Sequence, residues 1–398
     1  VLERDWNRYL EDVARANKLI CNIDLVTDNS LTTAERAQYK AEAKIFRAMV
    51  MFDMVRLWGD FPVITTVADD ITSENIDEVY PQYFPKQNTE LEAYQQIEKD
   101  LLDAVLYAPD NTPGNKTLFT KSVARTLLAK IYAEKPLRDY TKVIQYCDEV
   151  KADGFDLVDD FSDLFGMNAA GTDAKMRNTK ESILEAQFTS GAGNWCTWMF
   201  GRDLVNWNNN FTWAKWVTPS RDLISAFKQE GDEVRFKESI VYYDCNWSNY
   251  YPSDNYPFMY KCRSANSSII KYRYADVLLL KAEALIMQDT PDLEGAADII
   301  DEVRDRAKLG ALPTSVRSNK NAMLNALLKE RRLELAFEGQ RWFDLVRLDK
   351  VEEVMNAVYA KDSGRKAQIY TFDKNSYRLP IPQSVIDAND KIHQNPGY

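Results

Sequence analysis

Apolar residues recur at steps of three and four positions along several long stretches of the chain, which is the pattern of a helix with one buried face. The clearest stretch starts after Thr32 and Glu35, whose spacing is that of a capping box, and its apolar stripe continues to Trp58. Gly59 and Pro62 follow, and both residue types commonly end helices. The pattern therefore predicts one long amphipathic helix in this part of the chain.

A second capping box, formed by Thr89 and Glu92, starts another predicted helix. The same periodicity predicts helices over about 118–134, 138–152, 271–288, 292–309 and 320–347. The first two of these ranges, and the next two, read as helix–turn–helix pairs with small residues where the helices cross, a pattern that resembles tetratricopeptide repeats. The sequence thus predicts a mainly α fold with tetratricopeptide-like helical repeats.

Residues 155–268 differ in composition, with many Gly, Asn, Ser and aromatic residues. Helical periodicity is confined to 219–229, where Thr218 is the predicted N-cap and Pro219 the first helical residue, and residues 182–188 predict a strand. Loops this long in a compact domain are usually functional. The sequence therefore predicts one integrated unit with three segments: an N-terminal helical repeat part (1–154), a loop-rich ligand-binding insertion with minor β structure (155–268), and C-terminal helical repeats with a closing segment (269–398).

Six of the nine tryptophans lie between residues 190 and 260, interleaved with asparagines and tyrosines. Sugars pack their C–H faces on flat aromatic rings and bond their hydroxyls to amides, and a ring has few rotatable bonds to immobilise. This stretch is a candidate glycan-binding surface, with Trp207, Trp213 and Asn209 as the first candidates and Trp195 and Trp198 as further ones. The alternative is that these rings fill the interior of a loop-rich layer.

The charge and the chemistry of the side chains exclude several classes of function. A formal net charge of −11 disfavours nucleic-acid binding, because such a chain releases few counterions from a phosphate backbone. The single histidine, His393, nearly rules out His-based hydrolases and His-ligated zinc sites. The sequence contains no nucleotide-binding, zinc-protease or serine-hydrolase motif, so we expect no cofactor and no metal site. Acidic pairs such as Asp69-Asp70 could hold calcium, but a solvated surface is the favoured interpretation.

Charged residues are dense between Glu330 and Arg347. Arg331 and Glu334, and likewise Glu338 and Arg341, are three positions apart and share a helix face. Aromatic and aliphatic neighbours would half-bury these charges, which must then be paired. We therefore interpret the run as a helix that fixes the fold, and not as a pair of catalytic carboxylates.

Six segments, in order, carry a resemblance to one family. The most specific is the charged run, which reads ERRLELAFEGQRWFDLVR; the chain also has LPIP at 379–382 and ends with QNPGY. Four earlier segments, at 34–63, 120–132, 219–235 and 272–284, carry further motifs of the same set. Together they resemble the SusD/RagB family, and the resemblance implies a SusD-like α/α superhelix.

The resemblance implies a function as well as a fold. It implies an outer-membrane lipoprotein, lipid-anchored and facing outside, that binds an oligosaccharide and delivers it to a SusC-like TonB-dependent transporter without catalysis. Some family members bind sugar through the loop that follows the helix ending, in this sequence, at Gly59-Asp60-Phe61-Pro62. By analogy, Tyr83 is a further ligand-binding candidate. The family's upstream segment, with its signal peptide and lipidated cysteine, is not in this sequence, which opens with Val-Leu-Glu. We expect a processed or truncated product.

Three alternatives remain open at the level of the sequence. The same fold could bind peptides, as RagB-type members do. The chain could be an all-α glycoside hydrolase, since its carboxylates are plentiful. It could also be a cytosolic repeat scaffold that binds partner proteins.

Overall fold

The computed structural model of the chain describes residues 2–189, 193–194, 204–205, 218–245, 251–361 and 371–398. The chain forms two compact units. Unit 1 comprises Val1–Asn111, Leu118–Tyr146 and Phe372–Tyr398, and unit 2 comprises Thr112–Thr117 and Cys147–Thr371. The predicted three-segment organisation stays a prediction, because a change in composition need not coincide with the boundary of a compact unit.

Helices dominate the described residues, which confirms the predicted mainly α class. In chain order they are α1 (Leu2–Asn22), α2 (Thr33–Trp58), α3 (Ile76–Val79), α4 (Glu90–Tyr107), α5 (Lys121–Ala133), α6 (Tyr140–Ala152), α7 (Ser162–Phe165), α8 (Arg221–Glu230), α9 (Glu233–Ser239), α10 (Tyr274–Met287), α11 (Leu293–Arg306), α12 (Thr314–Arg317), α13 (Lys320–Glu334), α14 (Arg341–Arg347), α15 (Val351–Lys361) and α16 (Gln383–Ala388). The strands are β1 (Ser182–Ala186), β2 (Ile240–Tyr243), β3 (Tyr256–Met259) and β4 (Ile269–Arg273).

Both predicted capping boxes are present. At the start of α2, the Thr32 hydroxyl accepts a hydrogen bond from the Glu35 amide, and the Glu35 carboxylate accepts one from the Thr32 amide. Thr89 and Glu92 repeat this arrangement at α4. Each box satisfies helix N–H groups that have no partner within the helix.

Unit 1 is a layer of helices in which α1 packs on α2, α2 on α4, and α4 on α5. The buried Trp58 ring meets Trp6 edge-on, with centroids 5.4 Å apart. Arg47 crosses the interior from α2 to bind Asp100 of α4 through two hydrogen bonds of 2.7 and 2.8 Å. Aromatic packing and this buried ion pair therefore hold the layer together.

Unit 2 combines helices with two small antiparallel sheets, one pairing β1 with β4 and the other pairing β2 with β3. The first contains the strand predicted over 182–188. The helix predicted over 219–229 is α8, but its N-cap is Ser220 and not Thr218. The Ser220 hydroxyl accepts from the Leu223 amide at 3.1 Å, so Pro219 lies before the helix rather than inside it.

The prediction of a single helix over 320–347 is wrong, because the chain forms two helices there, α13 and α14, with a break between them. Phe337 and Gly339 adopt left-handed φ angles of 66° and 74° there, which an α-helix cannot accommodate. Between them, the Glu338 carboxylate binds Lys261 and Arg273. Apolar periodicity continues across the break and therefore conceals it.

The two charge pairs suggested by the spacing, Arg331 with Glu334 and Glu338 with Arg341, do not form. Arg331 binds Asp276 of α10 and Asp344 of α14, at 2.7 and 2.8 Å. The Arg341 guanidinium donates to the Leu328 carbonyl at 2.9 Å. The packing of α13 on α10 and the break before α14 therefore give both arginines partners other than the ones three positions away.

Glu334 is the centre of the largest buried charge network in the described part of unit 2. Its carboxylate accepts from Arg235 of α9, Arg273 of β4 and Arg306 of α11. Glu181, just before β1, binds Arg273 and Arg306 as well, at 2.7 and 2.8 Å. The network therefore joins three helices and the β1–β4 sheet.

The arginines govern the ionisation of these carboxylates. Burial by itself raises the pKa of Glu334, but the attraction of Arg306, Arg273 and Arg235 outweighs it and holds the pKa well below its ordinary value. The pKa of Asp344 is lowered too: burial opposes the shift, and Arg331 and Arg347 dominate. Both groups are thus ionised in the folded protein.

We expect Glu334→Gln to lower the free energy of unfolding by roughly 3–5 kcal/mol, because it leaves three buried guanidinium groups short of one negative charge. Urea denaturation followed by circular dichroism measures the change. Glu353→Gln is the matched control: Glu353 pairs with Lys350 at an exposed position, where such a pair contributes about 0–1 kcal/mol. Equal effects of the two substitutions would contradict the assignment.

We also expect stability to fall as the pH drops from about 5 toward 3. In this range the unfolded chain takes up protons at carboxyls that folded Glu334 and Asp344 keep ionised, so protons favour the unfolded state. Urea midpoints across this range measure the loss, and Glu334→Gln should show a shallower one because one of the groups is gone. An unchanged slope in that variant would show that other carboxyls account for the acid sensitivity.

Candidate functional site

Of the ligand-binding residues predicted from the sequence, Tyr83 is the one that falls within the described residues. It lies at the end of a short 3-10 turn, Tyr80–Tyr83, with about half of its surface exposed. Its hydroxyl donates to the Asp69 carbonyl at 3.1 Å, and the Tyr80 and Phe84 rings lie 5.0 Å apart beside it. These aromatic groups are thus accessible on unit 1.

The other predicted site residues lie outside the described residues: Trp195, Trp198, Trp207, Asn209 and Trp213. Asn194, directly before them in sequence, is described. Its buried side-chain amide donates to the Ser267 carbonyl at 3.0 Å. This asparagine therefore has a structural role.

A cavity of about 190 Å³ lies between the first turn of α8 and the last turns of α15, and we call it the α8 cavity. It lies wholly within unit 2. Trp213 and Trp216 precede its first residue by only a few positions in sequence. It is lined by Ser220, Arg221, Asp222, Ser225, Val358, Tyr359 and Lys361.

The core of unit 2 fixes the position of α8. Leu223, Ile224 and Phe227 form its inner face and pack against Ile240 and Leu333. The Ser220 cap closes the first turn of the helix. The cavity therefore has one wall formed by a well-packed helix.

Cations surround the carboxylate in this cavity. Asp222 binds Arg332 at 2.5 Å, and the Lys361 ammonium lies 3.9 Å away from it. The Arg221 guanidinium lies 5.2 Å from the centre of the Tyr251 ring. Burial and the positive charge of Arg332 together lower the pKa of nearby Arg341 to about 10, against the opposing attraction of Asp344 and Asp222.

The α8 cavity is not evident from the sequence. Residues 219–225 match a family motif and predict the start of a helix, and both signals indicate a structural role. Tyr359 and Lys361 carry no sequence signal beyond their place near a helix end. Only tertiary packing brings α8 and α15 together.

A second cavity, of about 350 Å³, lies within unit 1. Its acidic groups are engaged by the protein: Asp60 accepts from the Glu90 amide at 2.8 Å, and Glu90 binds Arg378 at 2.7 Å. Gly59, with φ of 75°, lets Glu90 approach closely, since a Cβ there would lie 2.9 Å from the carboxylate. The cavity is lined by Gly59, Asp60, Glu90, Lys374, Asn375, Tyr377, Arg378, Asn395 and Pro396.

Two absences hold for the described residues alone. No group of three or more His, Cys, Asp or Glu side chains among them is arranged to hold a metal ion. None of their helices is both long and apolar enough to cross a membrane.

Two family models match the chain. The model described as "SusD family" matches residues 259–398, and the model described as "Starch-binding associating with outer membrane" matches residues 2–133. The first match includes the buried charge run and the closing segment. The second includes the capped helices α2 and α4.

Relatives match over nearly the whole chain. The chain is similar to SusD-like protein P2 of Formosa agariphila, with 28% identity over 99% of this chain and 80% of the relative. It is also similar to starch-binding protein SusD of Bacteroides thetaiotaomicron, with 24% identity over 95% of this chain and 76% of the relative.

Solved structures share the fold. A SusD-like protein from Bacteroides fragilis superimposes with a TM-score of 0.78 at 22% identity, covering 100% of this chain and 86% of that one. A laminarin-binding SusD-like protein gives 0.75 at 24% identity, covering 99% and 85%. Surface glycan-binding protein A from Bacteroides uniformis gives 0.77 at 20% identity, covering 99% and 85%. With motifs, family models, relatives and fold in agreement, the chain belongs to the SusD/RagB family.

Proposed function

We propose that this protein binds oligosaccharides at the cell surface and delivers them to a SusC-like TonB-dependent transporter without cleaving them. The names of its relatives support the ligand class, since they include a starch-binding, a laminarin-binding and a surface glycan-binding protein. A family description that refers to the outer membrane supports the location. In this proposal a lipid on an upstream cysteine anchors the protein with its binding surface facing outside.

The α8 cavity is the observation that carries the proposal. It places an aromatic side chain, Tyr359, beside the hydroxyls of Ser220 and Ser225 on helices of unit 2. Binding sites for small polar ligands combine apolar walls with a few placed polar groups in this way. An aromatic ring suits the C–H face of a sugar, and the hydroxyls suit its oxygens.

The lining of this cavity favours binding over catalysis. Glycoside hydrolysis in most enzymes uses two carboxylates that flank the scissile bond. Among the described residues that line the α8 cavity, Asp222 is the one carboxylate, and Arg332 binds it at 2.5 Å. We therefore propose a protein that holds its ligand and releases it intact.

The remaining site residues extend this surface in the proposal. Trp207, Trp213 and Asn209 precede α8 in sequence and are proposed to contact further sugar units. Trp195 and Trp198 are proposed as additional contacts. Tyr83 is proposed as a contact on unit 1, where its ring is half exposed.

We expect Trp207→Ala and Trp213→Ala each to weaken binding of an oligosaccharide at least about fivefold, because truncating an aromatic anchor commonly costs more than ~1 kcal/mol. Isothermal titration calorimetry against a panel of oligosaccharides and oligopeptides provides the measurement. Tyr107→Ala is the control, since it removes an exposed ring on α4 of unit 1. Undiminished binding in both tryptophan variants would remove them from the site, and binding of peptides alone would favour the peptide alternative.

We expect no reducing sugar to be released when the purified protein is incubated with an oligosaccharide that it binds. Binding measured on the same sample separates an inactive preparation from a non-catalytic protein. Release that persists through repurification and disappears on substitution of a carboxylate would show that the protein is an enzyme.

A further inference from the structure

Positive charge gathers at the α8 cavity although the whole chain carries a formal net charge of −11. Arg221 and Lys361 line the cavity together with one carboxylate, Asp222. Arg332 already binds that carboxylate, and Arg341 lies close enough for the charges of Arg332 and Asp222 to act on it. The environment of this cavity is therefore cationic within an acidic protein.

Lys361 is available to a ligand. Its ammonium lies 3.9 Å from Asp222, near the upper limit for an ion pair, and its side chain is 72% exposed. An exposed pair at such a distance contributes little to stability. The lysine can therefore exchange this contact for a stronger one at little cost to the fold.

We propose that the α8 cavity binds an acidic sugar unit, one that carries a carboxylate or a sulfate ester. The anionic group lies against Lys361, and the C–H face of the ring packs on Tyr359. The hydroxyls of Ser220 and Ser225 bond to the sugar oxygens. This inference rests on the proposed glycan-binding function and specifies the class of glycan.

The size and chemistry of the cavity fit one such unit. A volume of about 190 Å³ is below the roughly 300–1,000 Å³ of pockets for larger ligands, so it suits a single terminal or branching sugar. The Ser220 and Ser225 oxygens accept hydrogen bonds from the Leu223 amide and the Gln229 amide group. A hydroxyl that accepts can still donate its own proton, so both remain able to bond to a sugar oxygen.

Asp222 has a distinct place in this arrangement. It positions Arg332 but also lowers the positive potential that an anionic ligand meets. Removing its charge while keeping its shape should therefore help an acidic sugar, whereas removing the charge of Lys361 should hinder it. A purely structural role for these residues does not produce opposite effects that depend on the charge of the ligand.

The test uses matched pairs of ligands in which one member carries the anionic group and the other has it masked or removed. The pairs are an oligogalacturonate with its methyl-esterified form, and a sulfated oligosaccharide with its desulfated form, presented within a panel that also contains neutral oligosaccharides and oligopeptides. Calorimetry with the full chain is run at low and high salt. We expect the acidic member of at least one pair to bind about tenfold tighter than its neutral partner, with the difference shrinking as salt rises.

Three substitutions locate the effect. Lys361→Met should weaken binding of the acidic ligand about tenfold, and Asp222→Asn should strengthen it about threefold, with a smaller effect on the neutral partner in each case. Lys228→Met is the matched control: it removes one positive charge from an exposed position of α8, away from the cavity lining. Thermal unfolding of each variant checks that the fold is kept.

Each outcome decides the matter. Acidic and neutral partners that bind alike, or neutral glycans that bind while no acidic one does, would overturn this inference and leave glycan binding standing. A panel in which no oligosaccharide binds would instead refute the proposed function. If Lys361→Met left the preference for the acidic ligand intact, the anionic group would bind outside the α8 cavity. That result would overturn this inference.

Discussion

A single buried carboxylate with three arginines around it organises unit 2. Glu334 draws Arg235, Arg273 and Arg306 to one point from two helices and a strand, and Glu181 binds two of the three from the other side. Charges this deeply buried need partners of opposite charge. Each of these elements therefore supplies a charge that the others require. Because the same helix, α13, also supplies Leu333 to the core beneath α8, the network indirectly positions the wall of the α8 cavity.

Local signals predicted the helices well. Capping boxes and apolar periodicity depend on residues a few positions apart, so both boxes and most of the longer helices were evident in the sequence. The break after α13 was not, because Phe337 gives no hint of a left-handed conformation and the apolar pattern continues past it. The partners of the buried charges were also missed, since Asp276 and Glu181 are far from Arg331 and Arg306 in the sequence.

The site was predictable only in outline. Composition indicated the tryptophans between 190 and 260, all six of which lie outside the described residues, and family analogy indicated Tyr83, which is exposed. The α8 cavity depends on the meeting of α8 and α15, which are separated by more than a hundred residues of chain, and no spacing rule reveals such a meeting. Family membership supports the proposed class of function, and the residues of the α8 cavity are the basis of the proposed ligand chemistry.

Unit 1 contains a feature with a bearing on how the polypeptide acquires its fold during synthesis. Its segment Phe372–Tyr398 is synthesised more than three hundred residues after α2, yet Leu379 donates its amide to the Leu57 carbonyl and Asn395 donates to the Trp58 carbonyl at the end of α2. The end of α2 thus waits for residues synthesised much later before these carbonyls gain their protein partners. Pairings so distant in sequence slow folding and prolong the exposure of apolar surface.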